Sequence, residues 1–189
     1  LLESGMVKPE DTPRFVGHIR KEASRLVNLI EDIIRLSQLD EGVELPTEAV
    51  DMLALAEDVK EILAPSAAEK HVKIDVTGNG FMINGVRRML QEIIYNLCDN
   101  AVKYNVPGGS VAIHVENNRL VVRDTGIGIP AEHKDRIFER FYRVDKSHSK
   151  ASGGTGLGLS IVKHAVAYHN AEIALESNPG KGTTITIQF

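Results

Sequence analysis

The sequence has few of the features that mark secreted, membrane-spanning or nucleic-acid-binding proteins. Its one cysteine, Cys98, excludes an internal disulfide and fits a reducing compartment. No apolar run approaches the roughly 18 residues of a membrane span, and no signal peptide opens the chain. A net charge of −4 argues against a broad nucleic-acid surface, because neutralising phosphates requires a basic face. We therefore expect a soluble globular protein with no nucleic-acid partner.

The first 42 residues differ in pattern from the rest of the chain. Leu1–Gly5 resembles the tail of a helix ending at glycine, so we expect the chain to be cut from a longer protein. Thr12–Pro13 predicts an N-cap and first turn of a helix that runs to about Asp40. Its narrow apolar stripe, opposite a charged side, predicts a helical hairpin or bundle. The stripe consists of Phe15, Ile19, Leu26, Ile30 and Ile33. We place a domain boundary near residue 42.

Residues 43–189 alternate between helical and strand patterns, which predicts an α+β layer with mainly antiparallel strands. The predicted helices are Ala49–Glu69 with a break or kink at Pro65, Val86–Lys103, Ala131–Phe138, and Leu157–Tyr168 ending at a left-handed Asn170. The predicted strands are Val72–Val76, Phe81–Ile83, Ser110–Glu116 and Leu120–Asp124 around an Asn117–Asn118 turn, then Ile173–Glu176 and Thr183–Phe189. Polar residues 145–153 predict a mobile loop.

The helix predicted at Val86–Lys103 carries an unusual polar line. Met89, Leu90, Ile93, Ile94, Leu97 and Ala101 share a broad apolar face. Asn96, Asn100 and Lys103 recur at i, i+4 and i+7 and therefore share a second face. These three side chains either form a solvated surface or line up on one ligand, and spacing alone favours the solvated surface. Cys98, inside the apolar run, is predicted to be a buried structural thiol.

Two glycine-containing segments follow. Asp124–Pro130 comes directly after a strand, so Asp124 either caps a tight turn or accepts a hydrogen bond from an exocyclic amine. Gly153–Leu159 leads into a helix, whose free N–H groups favour phosphate. A dinucleotide fold would need a strand immediately before these glycines, and a Walker loop would need a following Gly-Lys-Ser/Thr, so neither is predicted. Between the two segments, Phe138–Arg143 alternates aromatic and basic residues. This pattern predicts either an aromatic anchor with solvated arginines or a contact between an arginine and a phosphate.

Taken together in this order, the segments Asn96–Tyr104, Asp124–Ile129, Phe138–Arg143 and Gly154–Leu159 resemble the ATP-binding domain of sensor histidine kinases. That domain belongs to the wider fold shared with gyrase-type and Hsp90-type ATPases. The resemblance implies a two-layer α/β sandwich of the Bergerat type, with a mixed, mostly antiparallel sheet covered by helices on one face. It covers about residues 44–189, and residues 12–40 are similar to the second helix of the family's dimerisation hairpin.

The resemblance also implies roles for individual residues. Asp124 would bind the adenine amine, while Tyr104 and Ile129 would pack on the purine. Asn100, assisted by Asn96, would hold the Mg²⁺ that bridges the phosphates of ATP. Lys103 and Arg143 would contact the phosphates and, with Asn96, would be the catalytic residues. The remaining nucleotide-binding positions implied are Gly126, Gly128, Tyr142, Gly154, Thr155, Gly156, Leu157, Gly158 and Leu159.

Two positions refine the expected activity. Related hydrolases have a glutamate general base where this chain has Asn96, and an amide cannot accept that proton, which favours phosphoryl transfer over hydrolysis. The family's phosphoacceptor motif, His-Glu/Asp-hydrophobic-Arg/Lys-Thr-Pro, is absent, and His18 precedes Ile19–Arg20–Lys21 on the other hairpin helix. We therefore expect Mg-ATP binding without autophosphorylation.

The resemblance further implies a response-regulator receiver domain as partner and a homodimer formed through the helical hairpin. It implies a cytoplasmic domain of a protein anchored in the cell membrane. Alternatives on the same fold are an anti-sigma-type serine kinase, a nucleotide-sensing module without transfer, and a gyrase-like or Hsp90-like hydrolase. The narrow stripe before residue 42 disfavours the first, and Asn96 disfavours the last.

Overall fold

A computed structural model of the chain describes residues 8–20, 22–23, 26–27, 30, 45–144 and 155–189. Its N-terminal part is a 3-10 turn, Pro9–Asp11, continued by helix α1 over residues 12–20. The predicted N-cap at Thr12 is wrong, because its hydroxyl donates to the Lys8 carbonyl at 3.3 Å and the helical conformation begins before it. The predicted helix end at Asp40, the boundary near residue 42 and the loop at 145–153 lie outside the described residues.

From residue 45 onward, the described chain forms helices packed on a mixed sheet, as predicted. The sheet has the order β2–β4–β5–β7–β6, with β2 and β4 parallel and the other neighbours antiparallel. A separate two-stranded ribbon pairs β1 with β3. The strands are β1 (Glu48–Asp51), β2 (Lys73–Thr77), β3 (Met82–Gly85), β4 (Ser110–Glu116), β5 (Arg119–Asp124), β6 (Glu172–Ser177) and β7 (Thr183–Gln188). The helices are α2 (Met52–Glu69), α3 (Arg87–Lys103) and α4 (Gly158–Tyr168).

Helix α2 begins later than its sequence predicts. The expected start at Ala49 falls within β1, which is held by antiparallel pairing with β3. Asp51 then caps the helix, because its carboxylate accepts from the N–H groups of Leu53 and Ala54 at 2.9 and 3.1 Å. Pro65 does not end the helix, which continues to Glu69.

The segment before the glycine-rich helix start is also less regular than predicted. Instead of a helix over Ala131–Phe138, only the 3-10 turn Ala131–His133 forms, followed by further turns. Ile137 is the one buried residue between residues 131 and 140. A single buried residue gives a short helix little tertiary packing, which is where most helical stability arises.

The core confirms the predicted apolar face of α3. Leu90, Ile93 and Ile94 are fully buried against the sheet face formed by Val111 and Ile113. Cys98 is buried too, and both burial and the nearby Asp99 carboxylate raise the pKa of its thiol, as expected for a structural cysteine. Within the part of the chain that the structure describes, the helices are too short or too polar to cross a bilayer.

The predicted turns are confirmed where a left-handed backbone was expected. Asn117 and Asn118 have φ values of 53° and 55°, as a tight β4–β5 hairpin of the I′ kind requires. Asn170 follows α4 with a φ of 52°. The antiparallel register places Asp124, at the end of β5, and Ser177, at the end of β6, at the same end of the sheet, where the candidate site lies.

Candidate functional site

The polar line of α3 forms one wall of the candidate site. Asn96, Asn100 and Lys103 are each only partly exposed, whereas Tyr95 and Tyr104 are 39% and 43% exposed. The three polar side chains therefore occupy a partly covered face beside the core, which does not match a fully solvated surface. The helix is long enough to carry all of them because its apolar face is buried along its length.

The start of α4 lies against this wall at Asn96. The Asn96 amide nitrogen donates to the Glu92 carbonyl at 2.8 Å. Its Oδ1 faces Gly158, where a β-carbon would lie only 2.6 Å away. Glycine at position 158 is thus what lets the first turn of α4 approach the amide of Asn96.

Gly156 connects the same segment to the aromatic and basic stretch. Its backbone has a φ of +77°, and its carbonyl accepts from the Phe141 N–H at 2.9 Å. Phe141 itself has a φ of +64° and is 58% exposed, an unusual conformation for a bulky side chain. Thr155 Oγ1 accepts from the Leu157 N–H at 3.3 Å, and the Leu157 side chain is fully buried. Gly154 lies outside the described residues.

Asp124 ends β5, and the loop that follows it contacts Tyr104 at the C-terminal end of α3. Its Oδ1 accepts from the N–H groups of Gly126 and Thr183 at 2.7 and 3.2 Å. Burial raises the pKa of this carboxyl and outweighs the two hydrogen bonds, which act to lower it. The turn-capping interaction is therefore present, and it uses one carboxylate oxygen.

The loop after Asp124 is held against the C-terminal end of α3. The Ile127 N–H donates to the Tyr104 carbonyl at 3.1 Å. Gly126 fits because a β-carbon there would be 2.4 Å from that same carbonyl oxygen. Gly128, with a φ of +69°, lies on the backbone of Asn178 in the β6–β7 turn. The loop that carries Ile129 is thus fixed between α3 and this turn.

Positive charge is concentrated near the C-terminus of α3. Burial lowers the pKa of Lys103, Asp99 opposes this effect, and repulsion from Arg143 and Lys70 adds to it. The Lys70 ammonium donates to the Lys103 carbonyl at 2.6 Å. Burial also raises the pKa of Asp99, the carboxylate one turn before Lys103. Two further cations, Lys70 and Arg143, act on Lys103, and this concentration of positive charge makes this end of the helix a suitable place for an anionic ligand.

Tyr142 is engaged by its neighbours. Its hydroxyl is 2.6 Å from His133 Nδ1, and the Arg136 guanidinium lies over its ring at 4.3 Å. These contacts join Tyr142 to the 3-10 turn and to the residues that follow it. They do not place the Tyr142 ring against Asp124 or the polar line of α3, so its predicted ligand contact stays a prediction.

A divalent cation would have to use neutral oxygens here. In the described ranges, 45–144 and 155–189 included, no group of three His, Cys, Asp or Glu side chains could hold a metal ion. The amide oxygens of Asn96 and Asn100 are hard donors of the kind Mg²⁺ accepts, and Mg²⁺ commonly takes its other ligands from water and substrate phosphates. The residues present therefore fit a cation that arrives with a phosphate ligand.

Several contact residues were missed by sequence reasoning. Asn105 donates to the Ala101 and Ser110 carbonyls at 3.0 and 3.1 Å and accepts from Thr125, which ties α3 to β4 and the Asp124 loop. Ser177 accepts from the Ile129 N–H at 2.8 Å. Both are isolated polar residues in turns or at strand ends, where no periodicity marks them.

This architecture defines a class: a mixed sheet under helices, in which the loop after an acidic strand end and a glycine-containing helix start both contact one helix that carries a polar line. The family model described as "Histidine kinase-, DNA gyrase B-, and HSP90-like ATPase" matches residues 85–189. The chain belongs to this family of ATP-binding domains.

Full-length relatives narrow the comparison to sensor histidine kinases. The chain is 33% identical over 187 residues to the sensor histidine kinase YkoH of Bacillus subtilis, covering 98% of this chain and 41% of that protein. It is 38% identical over 187 residues to the sensor-like histidine kinase SenX3 of Mycolicibacterium smegmatis, covering 96% and 49%. The solved structure of full-length ShkA in complex with AMPPNP gives a TM-score of 0.79 at 26% identity, covering 98% of this chain and 40% of ShkA. The chain thus spans less than half the length of these relatives.

Proposed function

We propose that this chain is the ATP-binding catalytic region of a sensor histidine kinase, and that it transfers the γ-phosphoryl group of ATP to a histidine outside the chain. The observation that carries the proposal is the arrangement around α3. The start of α4 lies on Asn96, the Asp124 loop lies on Tyr104, and the charge of Arg143 acts on Lys103. Segments far apart in the sequence therefore converge on the polar line of one helix.

The base of the nucleotide is assigned to the Asp124 side. Because Oδ1 of Asp124 is occupied by two backbone N–H groups, the second oxygen of Asp124 accepts the exocyclic amine of adenine. Tyr104 and Ile129 supply apolar surface to the purine. Gly126 and Gly128 keep the loop close to α3 and to the β6–β7 turn, so that the carboxylate stays at the edge of the cleft.

The phosphates are assigned to the α4 side. Asn100, with Asn96, supplies amide oxygen to Mg²⁺, which neutralises phosphate charge when bound. Lys103 and Arg143 contact the phosphate oxygens, and the partial burial of Lys103 strengthens that attraction. The segment around the phosphates consists of Gly154, Thr155, Gly156, Leu157, Gly158 and Leu159, with Tyr142 beside Arg143.

The amide at position 96 directs the chemistry to transfer. Its nitrogen donates to Glu92 and it has no basic group with which to activate water. Catalysis then depends on positioning and charge neutralisation, which is typical of phosphoryl transfer. A hydrolase of the same fold is disfavoured for this reason.

The N-terminal helix is assigned to dimerisation. Ile19, Leu26 and Ile30, from its predicted apolar stripe, are 57%, 46% and 56% exposed. In the intact protein this stripe packs in a helical hairpin and homodimer, the accepting histidine lies on the other hairpin helix, and the phosphoryl group passes to a response-regulator receiver domain. The region faces the cytoplasm, with the intact protein anchored in the cell membrane.

The test is a transfer assay in two parts. The chain is incubated with γ-³²P-labelled ATP and Mg²⁺, alone and with a separate hairpin from a relative's dimerisation domain that carries the phosphoacceptor motif. We expect acid-labile label on the hairpin and none on the chain itself. Asn100→Ala should abolish transfer, whereas Thr184→Val, on the neighbouring strand, should not.

Other outcomes of this assay identify the alternatives. ATP binding without transfer to any tested hairpin would favour a nucleotide-sensing module. Rapid steady release of inorganic phosphate without a hairpin would favour a hydrolase. Label on His18 would contradict the assignment of the acceptor to another helix.

A further inference from the structure

We infer that Ser177 is a positioning residue for base recognition: its hydroxyl fixes Asp124 and Ile129 relative to each other and so sets the preference for a 6-amino purine. The inference rests on the proposed function, because it deepens the account of that same site. Ser177 ends β6, where only 4% of the residue is exposed.

The hydroxyl of Ser177 uses its full hydrogen-bonding capacity. It accepts from the Ile129 N–H at 2.8 Å. It lies 3.0 Å from the Gly182 carbonyl and 2.8 Å from Thr183 Oγ1. A serine hydroxyl has one donor and two acceptor positions, so donation to Gly182 leaves Ile129 and the Thr183 hydroxyl as its two donors. All three positions are then filled by groups from two different loops.

Those two loops carry the residues assigned to the base. On one side, the Ser177 hydroxyl holds Ile129, which supplies apolar surface to the purine. On the other, it holds Gly182 and Thr183, and the Thr183 N–H donates to Asp124 Oδ1 at 3.2 Å. A β-carbon at Gly182 would lie 2.0 Å from the Asp124 carbonyl oxygen, so this turn also abuts the Asp124 backbone.

The consequence is a carboxylate with one oxygen fixed by the protein and one left for a ligand. A fixed acceptor at the 6-position of a purine favours an amine and repels a carbonyl oxygen. If the turn moves, Oδ1 loses a donor and the carboxylate can rotate. The discrimination between amine and carbonyl then weakens, while the phosphate contacts on α3 and α4 are unaffected.

The experiment compares ATP with ITP, which differs at the 6-position by a carbonyl in place of the amine. Dissociation constants for both nucleotides are measured with Mg²⁺ for the wild-type chain, Ser177→Ala, Thr183→Val and Thr184→Val. We expect Ser177→Ala to weaken ATP about 3- to 10-fold with ITP nearly unchanged, as the loss of one net hydrogen bond of about 1 kcal/mol predicts. Thr183→Val should also weaken ATP binding, by a smaller factor than Ser177→Ala. Thr184 follows Thr183 in β7, so its side chain points to the opposite face of the sheet, and Thr184→Val serves as the matched control with no expected change.

Each outcome bears on the inference. Equal weakening of ATP and ITP by Ser177→Ala would overturn it, because a merely structural hydroxyl would affect both nucleotides. An unchanged ATP constant would overturn it as well. Should Ser177→Ala fail to fold, Thr183→Val decides in its place by the same ratio. Failure of the nucleotide-site assignment gives a different result, since the wild-type chain would then bind neither nucleotide. Failure of phosphoryl transfer alone is detected by the hairpin assay and leaves both dissociation constants unchanged.

Discussion

The imidazole of His169 caps α3 from another helix: its Nε2 accepts from the N–H of Val86 at 3.1 Å. The other ring nitrogen, Nδ1, lies 2.8 Å from the Ala165 carbonyl and donates to it in the tautomer that leaves Nε2 as the acceptor for Val86. Val86 is the N-cap residue of α3, so its N–H has no partner within the helix and is satisfied by this ring. The helix that carries Asn96 and Asn100 is thus positioned by the C-cap residue of α4.

Replacing His169 should therefore destabilise the domain. We expect His169→Ala to lower the free energy of unfolding by about 1–2 kcal/mol, because a partly buried N–H at the helix start loses its acceptor. Urea unfolding followed by circular dichroism measures this. His114→Ala is the control, because the contacts of His114 with Thr77 and Glu116 lie at the exposed surface and their loss should change stability much less. A loss no larger than that of the control would contradict the capping role.

Gly85 gives a second way to disturb the same contact. A β-carbon at Gly85 would lie 2.7 Å from His169 Nε2 and 2.8 Å from its Cδ2. Gly85→Ala should therefore displace the ring and destabilise the domain. In a double-mutant cycle of urea midpoints, Gly85→Ala and His169→Ala should not be additive, because both remove one contact. Full additivity would mean that the ring tolerates the methyl group.

Asp124 should show opposite effects on stability and binding. Its pKa is raised in the folded state, so its stabilising contribution is present at acidic pH, below its unfolded pKa, and is lost as the pH rises through the folded value. At neutral pH the ionised carboxylate lowers the free energy of unfolding. Asp124→Asn keeps the Oδ1 acceptor without the charge, so ligand-free stability should rise at pH 7 and the difference should shrink toward pH 4.

ATP binding by the same variant should fall by at least about 10-fold, because the asparagine nitrogen would face the adenine amine as a second donor. Thermal unfolding with and without Mg-ATP measures both effects in one titration. A variant that is less stable and still binds ATP normally would contradict the assignment. The Asp124→Glu variant tests geometry, since it retains charge but cannot keep the same two backbone hydrogen bonds.

Local patterns were sufficient to predict much of this fold. The buried face of α3 follows from helical periodicity, and the Asn117–Asn118 hairpin follows from the preference of asparagine for a left-handed backbone. The polar line of α3 was predicted from the same periodicity. What it faces could be proposed only by resemblance, because spacing along a helix carries no information on the segments packed beside it.

The features that were missed depend on contacts distant in sequence. β1 forms because Glu48–Asp51 pairs with Met82–Gly85, and its short pattern by itself continues that of the following helix. Ser177 contacts Ile129 across 48 residues. The helix expected at Ala131–Phe138 has a helical composition, but too little of it is buried to stabilise regular turns.

Gly158 should be replaceable for folding but not for nucleotide binding. An added β-carbon would lie 2.6 Å from Asn96 Oδ1, the end of a side chain that can move away. Alanine also favours a helix over glycine by about 1 kcal/mol. Gly158→Ala should therefore leave stability unchanged or raise it slightly while weakening Mg-ATP several-fold, measured by calorimetry. Gly17→Ala, which has open space around it, is the matched control. Unchanged affinity for Mg-ATP would contradict the assignment of Asn96 to the phosphate site.

Lys103 should report the charge of the phosphate site. Its pKa is lowered in the folded state, so its stabilising contribution is present above its unfolded pKa and is lost as the pH falls through the folded value. At neutral pH the partly buried ammonium lowers the stability of the domain, so Lys103→Met should raise the ligand-free stability. The stability of the variant should also increase less than that of the wild type as the pH rises into the alkaline range.

The same Lys103→Met variant should bind Mg-ATP more than 10-fold more weakly, with a shallower dependence on salt, because one attraction to the phosphates is lost. Adenosine, which has the base but no phosphate, should bind wild type and variant equally. Lys60→Met is the control, since Lys60 lies on α2 in an exposed pair with Glu57 and should alter neither ligand. A variant that loses adenosine as well as ATP would show that Lys103 supports the fold of the cleft, and its assignment to the phosphates would be wrong.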